Sequence, residues 1–240
     1  MEYAEITTTK KEIVAKAIIE NVNEYQQRYW LHGLFYEYDL LDYIDNHYKS
    51  GTIIDVGSCI GNHMLFFSKI AENVYSFEPC LPNFVLQYHN ILLNELQNVK
   101  LFNCALGDKN KIANIDYKRD NKILTNHPLK EHKSGINNTE YVTNYGNSQI
   151  VDIKTKTLCI LKCLDDFDIE DVSIIKIDVE GYELNVLKGA INTIKKYKPD
   201  LYMEITNEKQ YNEILEFLMQ FKYDTVISFP QHHMYRIYKK

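Results

Sequence analysis

The run Thr52-Ile53-Ile54-Asp55-Val56-Gly57-Ser58-Cys59-Ile60-Gly61 is a short apolar strand that enters an acidic, glycine-bearing loop, and a helix over Asn62–Ile70 follows at once. The next predicted strand, Tyr75-Ser76-Phe77, ends on Glu78 and Pro79. Strand, loop and helix in that order form the turn that holds nucleoside-containing cofactors. A dinucleotide site needs three glycines, the middle one so that backbone can approach a pyrophosphate. Cys59 stands at that middle position and disfavours such an approach, and Asp55 repels phosphate. The loop suits a ligand carrying an ammonium group, such as S-adenosylmethionine, and Glu78 falls where a carboxylate accepts hydrogen bonds from both ribose hydroxyls. An ordinary strand-turn-helix with a capping loop is the plainer reading of the same residues.

A chain of 240 residues fits one α/β domain, and 45% apolar residues suffices for its core. The formal net charge of −6 makes nucleic acid an unlikely main partner, because affinity for a phosphate backbone rests on basic groups that release counterions. No apolar run approaches the length of a membrane span, and Met1-Glu2-Tyr3 begins nothing like a signal peptide, so the expected location is cytoplasmic. The five cysteines are an odd number without a CxxC pair, which fits reduced thiols. Cys159 and Cys163 lack partners at zinc-ligand spacing, so packing is the expected role.

Residues 1–50 read as a helical segment that packs on the domain or roofs its site. Thr9 and Glu12 have capping-box spacing, and Ile13, Val14, Ala17, Ile18 and Val22 follow at helical intervals. Tyr25, Tyr29, Trp30, Phe35 and Tyr36 then crowd a region suited to packing. Residues 51–240 alternate strand and helix: a helix over Pro82–Leu96, strands at Val99–Phe102 and Val172–Ile177, a helix over Glu183–Lys196, a strand at Leu201–Ile205 and a helix over Asn207–Phe221. Two closing strands flank Pro230. The polar stretch Asn121–Ser148 reads as an insertion near 118–150, with Ile112–Tyr117 and Ile150–Leu158 as flanking strands. Alternation of this kind implies a mostly parallel sheet covered by helices, with ligands outside the carboxyl ends of the strands. Asp55, Glu78, Cys104, Ala105, Asp178 and Glu204 all lie at predicted carboxyl ends, so one rim gathers the polar groups.

Ile54-Asp55-Val56-Gly57-Ser58-Cys59-Ile60-Gly61-Asn62-His63 resembles the first motif of the FkbM family of S-adenosylmethionine-dependent methyltransferases. The block Ile174-Ile175-Lys176-Ile177-Asp178-Val179-Glu180-Gly181-Tyr182-Glu183, preceded by Leu164-Asp165-Asp166-Phe167 and followed by Val186-Leu187-Lys188-Gly189-Ala190, is similar to the family's most distinctive stretch. Pro199–Ile205 fits its next strand. The resemblance covers roughly Thr52 to Ile205. Ser58-Cys59 stands where relatives commonly carry Ala-Asn. It implies a class I methyltransferase fold, Rossmann-like, with a seven-stranded sheet whose last strand is antiparallel. It also implies an O-methyltransferase acting on a hydroxyl of a sugar or glycoconjugate. By motif position it assigns cofactor contacts to Asp55, Gly57, Ser58, Gly61 and Glu78 with Pro79. Asn62 and His63 open a helix whose free amides meet the cofactor's carboxylate. Asn83 reaches the ribose rim, and Cys104 with Ala105 floors the adenine. His63 touching nothing is an equal alternative.

A sugar hydroxyl needs a positioned base or a metal ion to become nucleophilic. Asp178, Glu180 and Glu204 are the candidate catalytic residues. They would act through one carboxylate as base, or together as oxygen ligands of one divalent cation, and the sequence leaves both open. The plainer reading has Asp178 on the cofactor's ammonium and Glu180 capping the following helix. Lys176, buried in a strand, must pair with a neighbouring carboxylate. His232 and His233, in the last turn, could reach the rim, although a surface position is the commoner outcome for such histidines. Alternatives to a sugar acceptor are a phenol or polyketide, or a cofactor-binding partner subunit without turnover.

Overall fold

The structure is a computed structural model that describes all residues except 1, 8–12, 118–119, 124–140, 145, 147 and 240. The chain opens with a hairpin, β1 (Tyr3–Thr7) and β2 (Val14–Ile18), then α1 (Tyr25–Leu31) and α2 (Tyr38–His47). Alternating units follow: β3 (Thr52–Val56), α3 (Asn62–Ile70), β4 (Asn73–Phe77), α4 (Leu81–Leu93) and β5 (Val99–Phe102). A run of short strands comes next: β6 (Ala105–Leu106), β7 (Lys111–Tyr117), β8 (Asp120–Ile123), β9 (Tyr141–Asn144), β10 (Ser148–Val151) and β11 (Thr157–Lys162). The chain closes with β12 (Val172–Ile177), α5 (Glu183–Lys188), α6 (Ile191–Tyr197), β13 (Asp200–Glu204), α7 (Glu208–Met219), β14 (Thr225–Phe229) and β15 (Met234–Tyr238).

The main sheet has the order β14-β15-β13-β12-β3-β4-β5, with β15 antiparallel to both its neighbours and the β13–β5 run parallel. Every residue of β3 is buried, as a strand covered on both faces requires. One face packs Trp30, Phe35, Leu40, Phe66 and Phe67 from α1 to α3 and their connections. The other packs Val186, Leu187, Ile194, Ile214 and Leu218 from α5 to α7. Both layers leave the carboxyl ends of β3, β4, β12 and β13 at one rim.

The N-terminal helical reading is corrected. Ile13–Val22 contains a strand, β2, paired antiparallel with β1 from Tyr3↔Ile18 to Thr7↔Val14, while Thr9–Glu12 lies outside the described residues. A short apolar run fits either period, and long-range partners decide. The outer edge of β2 meets two asparagines one turn apart on α4. Asn90 Oδ1 accepts from Ile18 N at 2.8 Å, and Asn94 accepts from Lys16 N at 2.7 Å and donates to Lys16 O at 2.6 Å. These amides stand in for a third strand.

The expected single helix over Glu183–Lys196 is two helices. Gly189 caps the first, and a Cβ there would meet Gly107 O at 1.9 Å. The flanking strands of the polar insertion are present as β7, β10 and β11, in a second sheet of order β10-β7-β11-β6. Within Asn121–Ser148, β8 pairs with β9, and most of the remainder lies outside the described residues.

Replacing Asn90 with Ala strands the buried amide of Ile18. The expected loss is about 1–2 kcal/mol of unfolding free energy, read by urea denaturation together with faster hydrogen exchange in β2.

Candidate active site

The loop after β3 is shaped by backbone crowding. Gly57 has φ +76°, and a Cβ there would lie 1.9 Å from Asp178 O, so glycine is required by the neighbouring strand end itself. Cys59 also adopts the left-handed region, at φ +50°, which turns its amide toward Glu78. Glu78 Oε2 accepts from Cys59 N at 2.9 Å, and Oε1 accepts from Cys80 N at 2.8 Å. Burial outweighs those two bonds and lifts the Glu78 carboxyl to about 7. Gln87, fully buried on α4, braces the loop: its Oε1 accepts from Ser58 and Ser76 hydroxyls, and its Nε2 donates to Cys59 O at 2.6 Å.

Beside this loop, β12 carries Lys176 directly across from Asp55 on β3. The ammonium lies 3.6 Å from Asp55 Oδ1 and 3.2 Å from Asp178 Oδ2, which meets the expectation that it pairs with carboxylates. Past the strand end, Glu180 and Gly181 take left-handed φ values of +56° and +100°. Glu183 holds that turn in place. Its Oε1 accepts from Val179 N at 3.2 Å and Gly181 N at 3.0 Å, and Oε2 accepts from Gln210. Carboxylate oxygens of Asp178, Glu180 and Glu204 all lie within 4.8 Å of one another. Burial first, then the charges of Asp178, Glu180 and Glu183, push Glu204 up to about 9. The spacing would admit one oxygen-ligated cation, and equally one carboxyl that shares a proton among three.

Two cavities meet at this rim. The first is lined by Gly57, Glu78, Pro79, Asn83, Cys104 and Ala105. The second takes in Ser58, His63, Lys176 and Glu204. Gly57, Cys59, Asp178 and Glu180 border both.

Asp55, Gly61 and Asn62 line neither cavity. Asp55 is fully buried under Lys176, so the carboxylate facing the cavities is Asp178. Gly61 is the left-handed N-cap of α3. The Asn62 side chain is committed elsewhere: Oδ1 accepts from Trp30 Nε1 and Tyr36 N, and Nδ2 donates to Tyr36 O, each at 2.9 Å. His63 does not touch nothing: its Nε2 lies 3.1 Å from Glu37 Oε2, at ion-pair distance but without hydrogen-bond geometry. His232 also sits on the second cavity, against the surface role expected of it, and Tyr25 and Tyr36 give the N-terminal aromatics a share of its wall.

The sequence reading missed Gln87, Glu183 and Glu37. A glutamine and an asparagine, Gln87 and Asn90, among the apolar residues of α4 were the available signal for the first. For Glu183 it was the position two residues after Gly181.

This arrangement defines a methyltransferase-like α/β fold with its polar rim at the carboxyl ends of the parallel strands. The family described as Methyltransferase FkbM domain matches residues 55–236, and the chain belongs to that family of methyltransferases. Among solved structures, the methyltransferase FkbM from Methylobacillus flagellatus is 18% identical with a TM-score of 0.53, over 79% of this chain and 44% of that one. The chain thus spans less than half of that protein's length. Precorrin 8w decarboxylase from Methanobacterium thermoautotrophicum is 13% identical with a TM-score of 0.47, over 84% and 88% of the two chains. A Streptococcus mutans protein solved in complex with SAH is 12% identical with a TM-score of 0.46, over 83% and 96%. No curated protein matches the sequence. No described helix is long and apolar enough to cross a membrane.

Gly57→Ala places a methyl group on Asp178 O and strains a left-handed residue; the expected loss is about 3 kcal/mol by chemical denaturation. Glu78 and Glu204, at about 7 and about 9, titrate above the ordinary carboxylate value of 4.5. In that window the folded chain holds protons that the unfolded chain has released, so stability from these groups falls as pH rises. Thermal melting of the ligand-free chain should show this decline. Glu78→Gln should flatten its lower part and Glu204→Gln its upper part.

Proposed function

We propose that the chain transfers a methyl group from S-adenosylmethionine to a hydroxyl of a sugar or glycoconjugate. The observation that carries this reading is the pair of cavities sharing Gly57, Cys59, Asp178 and Glu180, one setting Glu78 beside the apolar Cys104, Ala105 and Leu106 and the other walled by hydrogen-bonding side chains.

The first cavity fits the cofactor on its own chemistry. Glu78 offers carboxylate lone pairs beyond the two that hold Cys59 N and Cys80 N, suited to ribose hydroxyls. Cys104, Ala105 and Leu106 give an apolar floor for a base, and Asn83 and Pro79 border the ribose side. Asp178 and Glu180 supply negative charge where a dinucleotide would need to place phosphate, and the Cys59 amide is already taken by Glu78. That set suits a cationic donor and rejects a pyrophosphate. When bound, the cofactor supplies an electrophilic methyl group.

In the second cavity, Tyr25, Gln26, Tyr36 and Gln231 present hydroxyl and amide groups of the kind that bind a polyol. An aromatic or polyketide acceptor would call for an apolar lining instead. Glu204 takes the acceptor's proton in this reading, which its burial supports, because a carboxyl raised by burial is a stronger base than an exposed one. A positive charge in the adjoining cavity favours its ionised form. Asp178 and Glu180 orient the hydroxyl, and Glu183 keeps them in register by holding the turn.

Radiolabelled methyl transfer to a panel of neutral sugars and phenols tests the reading. Turnover of a sugar, with Glu204→Gln slowing it by about 10²–10³-fold while cofactor affinity stays within about twofold, is the expected result. Transfer to phenols alone, or cofactor binding without turnover on any acceptor, would overturn it. Loss of turnover in chelator would reassign the three carboxylates to a cation.

A further inference from the structure

Glu37 sits at the N-cap position of α2, yet its side chain makes no cap hydrogen bond and its backbone is left-handed at φ +57°. A capping acid normally bonds the first turn of its own helix, and a left-handed glutamate costs strain. Both concessions free the carboxylate to turn inward, where it is 7% exposed. There it meets two histidines from distant parts of the chain: His63 Nε2 at 3.1 Å on α3, and His232 Nδ1 at 3.5 Å in the turn between β14 and β15. The second nitrogen of His232, Nε2, lies 2.8 Å from Asp39 Oδ1. An imidazole with a carboxylate at each nitrogen is matched when both nitrogens carry protons.

All three parts border the second cavity. Tyr25, Tyr36 and Glu37 come from the N-terminal segment, His63 from the loop side, and Gln231, His232 and His233 from the last turn. The 231–233 turn and the 25–37 segment are thus tied to each other at the cavity mouth.

We propose that Glu37 is a positioning residue that clasps His63 and His232, joining the N-terminal segment to the last turn and holding the wall of the acceptor cavity closed around its ligand. This rests on the acceptor reading for the second cavity. The clasp acts through Tyr36 and Gln231, the groups it places.

The charged groups against the His232 ring are Glu37 and Asp39; His233 adjoins it in the turn, and His63, Asp178, Glu180 and Glu204 line the same cavity. Burial opposes the charged ring, but Asp39 and Glu37 outweigh it and raise His232 above its usual value. The clasp is therefore complete below the ordinary histidine pKa and is lost as pH rises through the raised one.

Glu37→Gln and His232→Gln in the full chain test this by two readouts. Acceptor KM should rise about tenfold in each variant, with kcat and cofactor Kd within about twofold. In the wild type, acceptor KM should climb as pH rises through the His232 titration followed by ring NMR, and His232→Gln should abolish that climb. Hydrogen exchange of residues 25–39 should speed up in both variants and at high pH. Unchanged KM and unchanged exchange would overturn the proposal, as would parallel loss of cofactor affinity and melting temperature, which marks plain scaffolding. Should no sugar bind the wild type, the acceptor reading falls separately. The ring titration and the exchange of residues 25–39 then decide the clasp: coincident profiles uphold it and independent ones end it.

Discussion

A positive charge buried in the middle of a parallel sheet organises the rim of this molecule. Lys176 is 2% exposed, and burying an ammonium without partners is prohibitive. Asp55 answers it from the neighbouring strand and Asp178 from just beyond its own. Removing either acid would leave the remaining charges unbalanced in a dry interior, which is worse than never having had the pair. Holding these groups together brings the ends of β3 and β12 so close that only glycine fits at position 57. The tight loop that follows sends the Cys59 amide to Glu78. The cavity beside Glu78 thus depends on an electrostatic requirement one layer beneath it.

The division of labour between the two aspartates has a physical basis. Asp55 and Lys176 are cross-strand partners on one face of the sheet, and of the two only Lys176 borders a cavity. Asp178 lies past the last pleat, a third of its side chain exposed, and so can serve the interior charge and the solvent-filled rim together. Glu183 then fixes the turn that presents Glu180, using backbone amides that an irregular loop would otherwise leave unpaired.

Much of this was legible because it is local. The strand, loop and helix from Thr52 to Ile70, the acid after β4, and the block around Asp178 are set by residues close in sequence. The need of Lys176 for a carboxylate followed from its place in an apolar strand. Which carboxylate, and that Asp55 would lie beneath the cavities and not at their edge, depended on the register between β3 and β12, which no local pattern encodes. The β2 hairpin was hidden for a similar reason. Its short apolar run fits a helix as well as a strand, and the amides that settle the matter stand 72 and 78 residues away. His232 looked like a surface turn residue, and its carboxylate at Asp39 is 193 positions distant.

A two-stranded ribbon ordinarily offers bare backbone along both sides, an invitation to stray β-pairing with other chains. Here one flank is stitched to α4 by Asn90 and Asn94, and the other is met at Thr7 by Gly33, Leu34 and Phe35. Those stretches of the ribbon's two edges are therefore already paired and not open to another strand, while side chains such as Tyr3 and Val14 remain exposed.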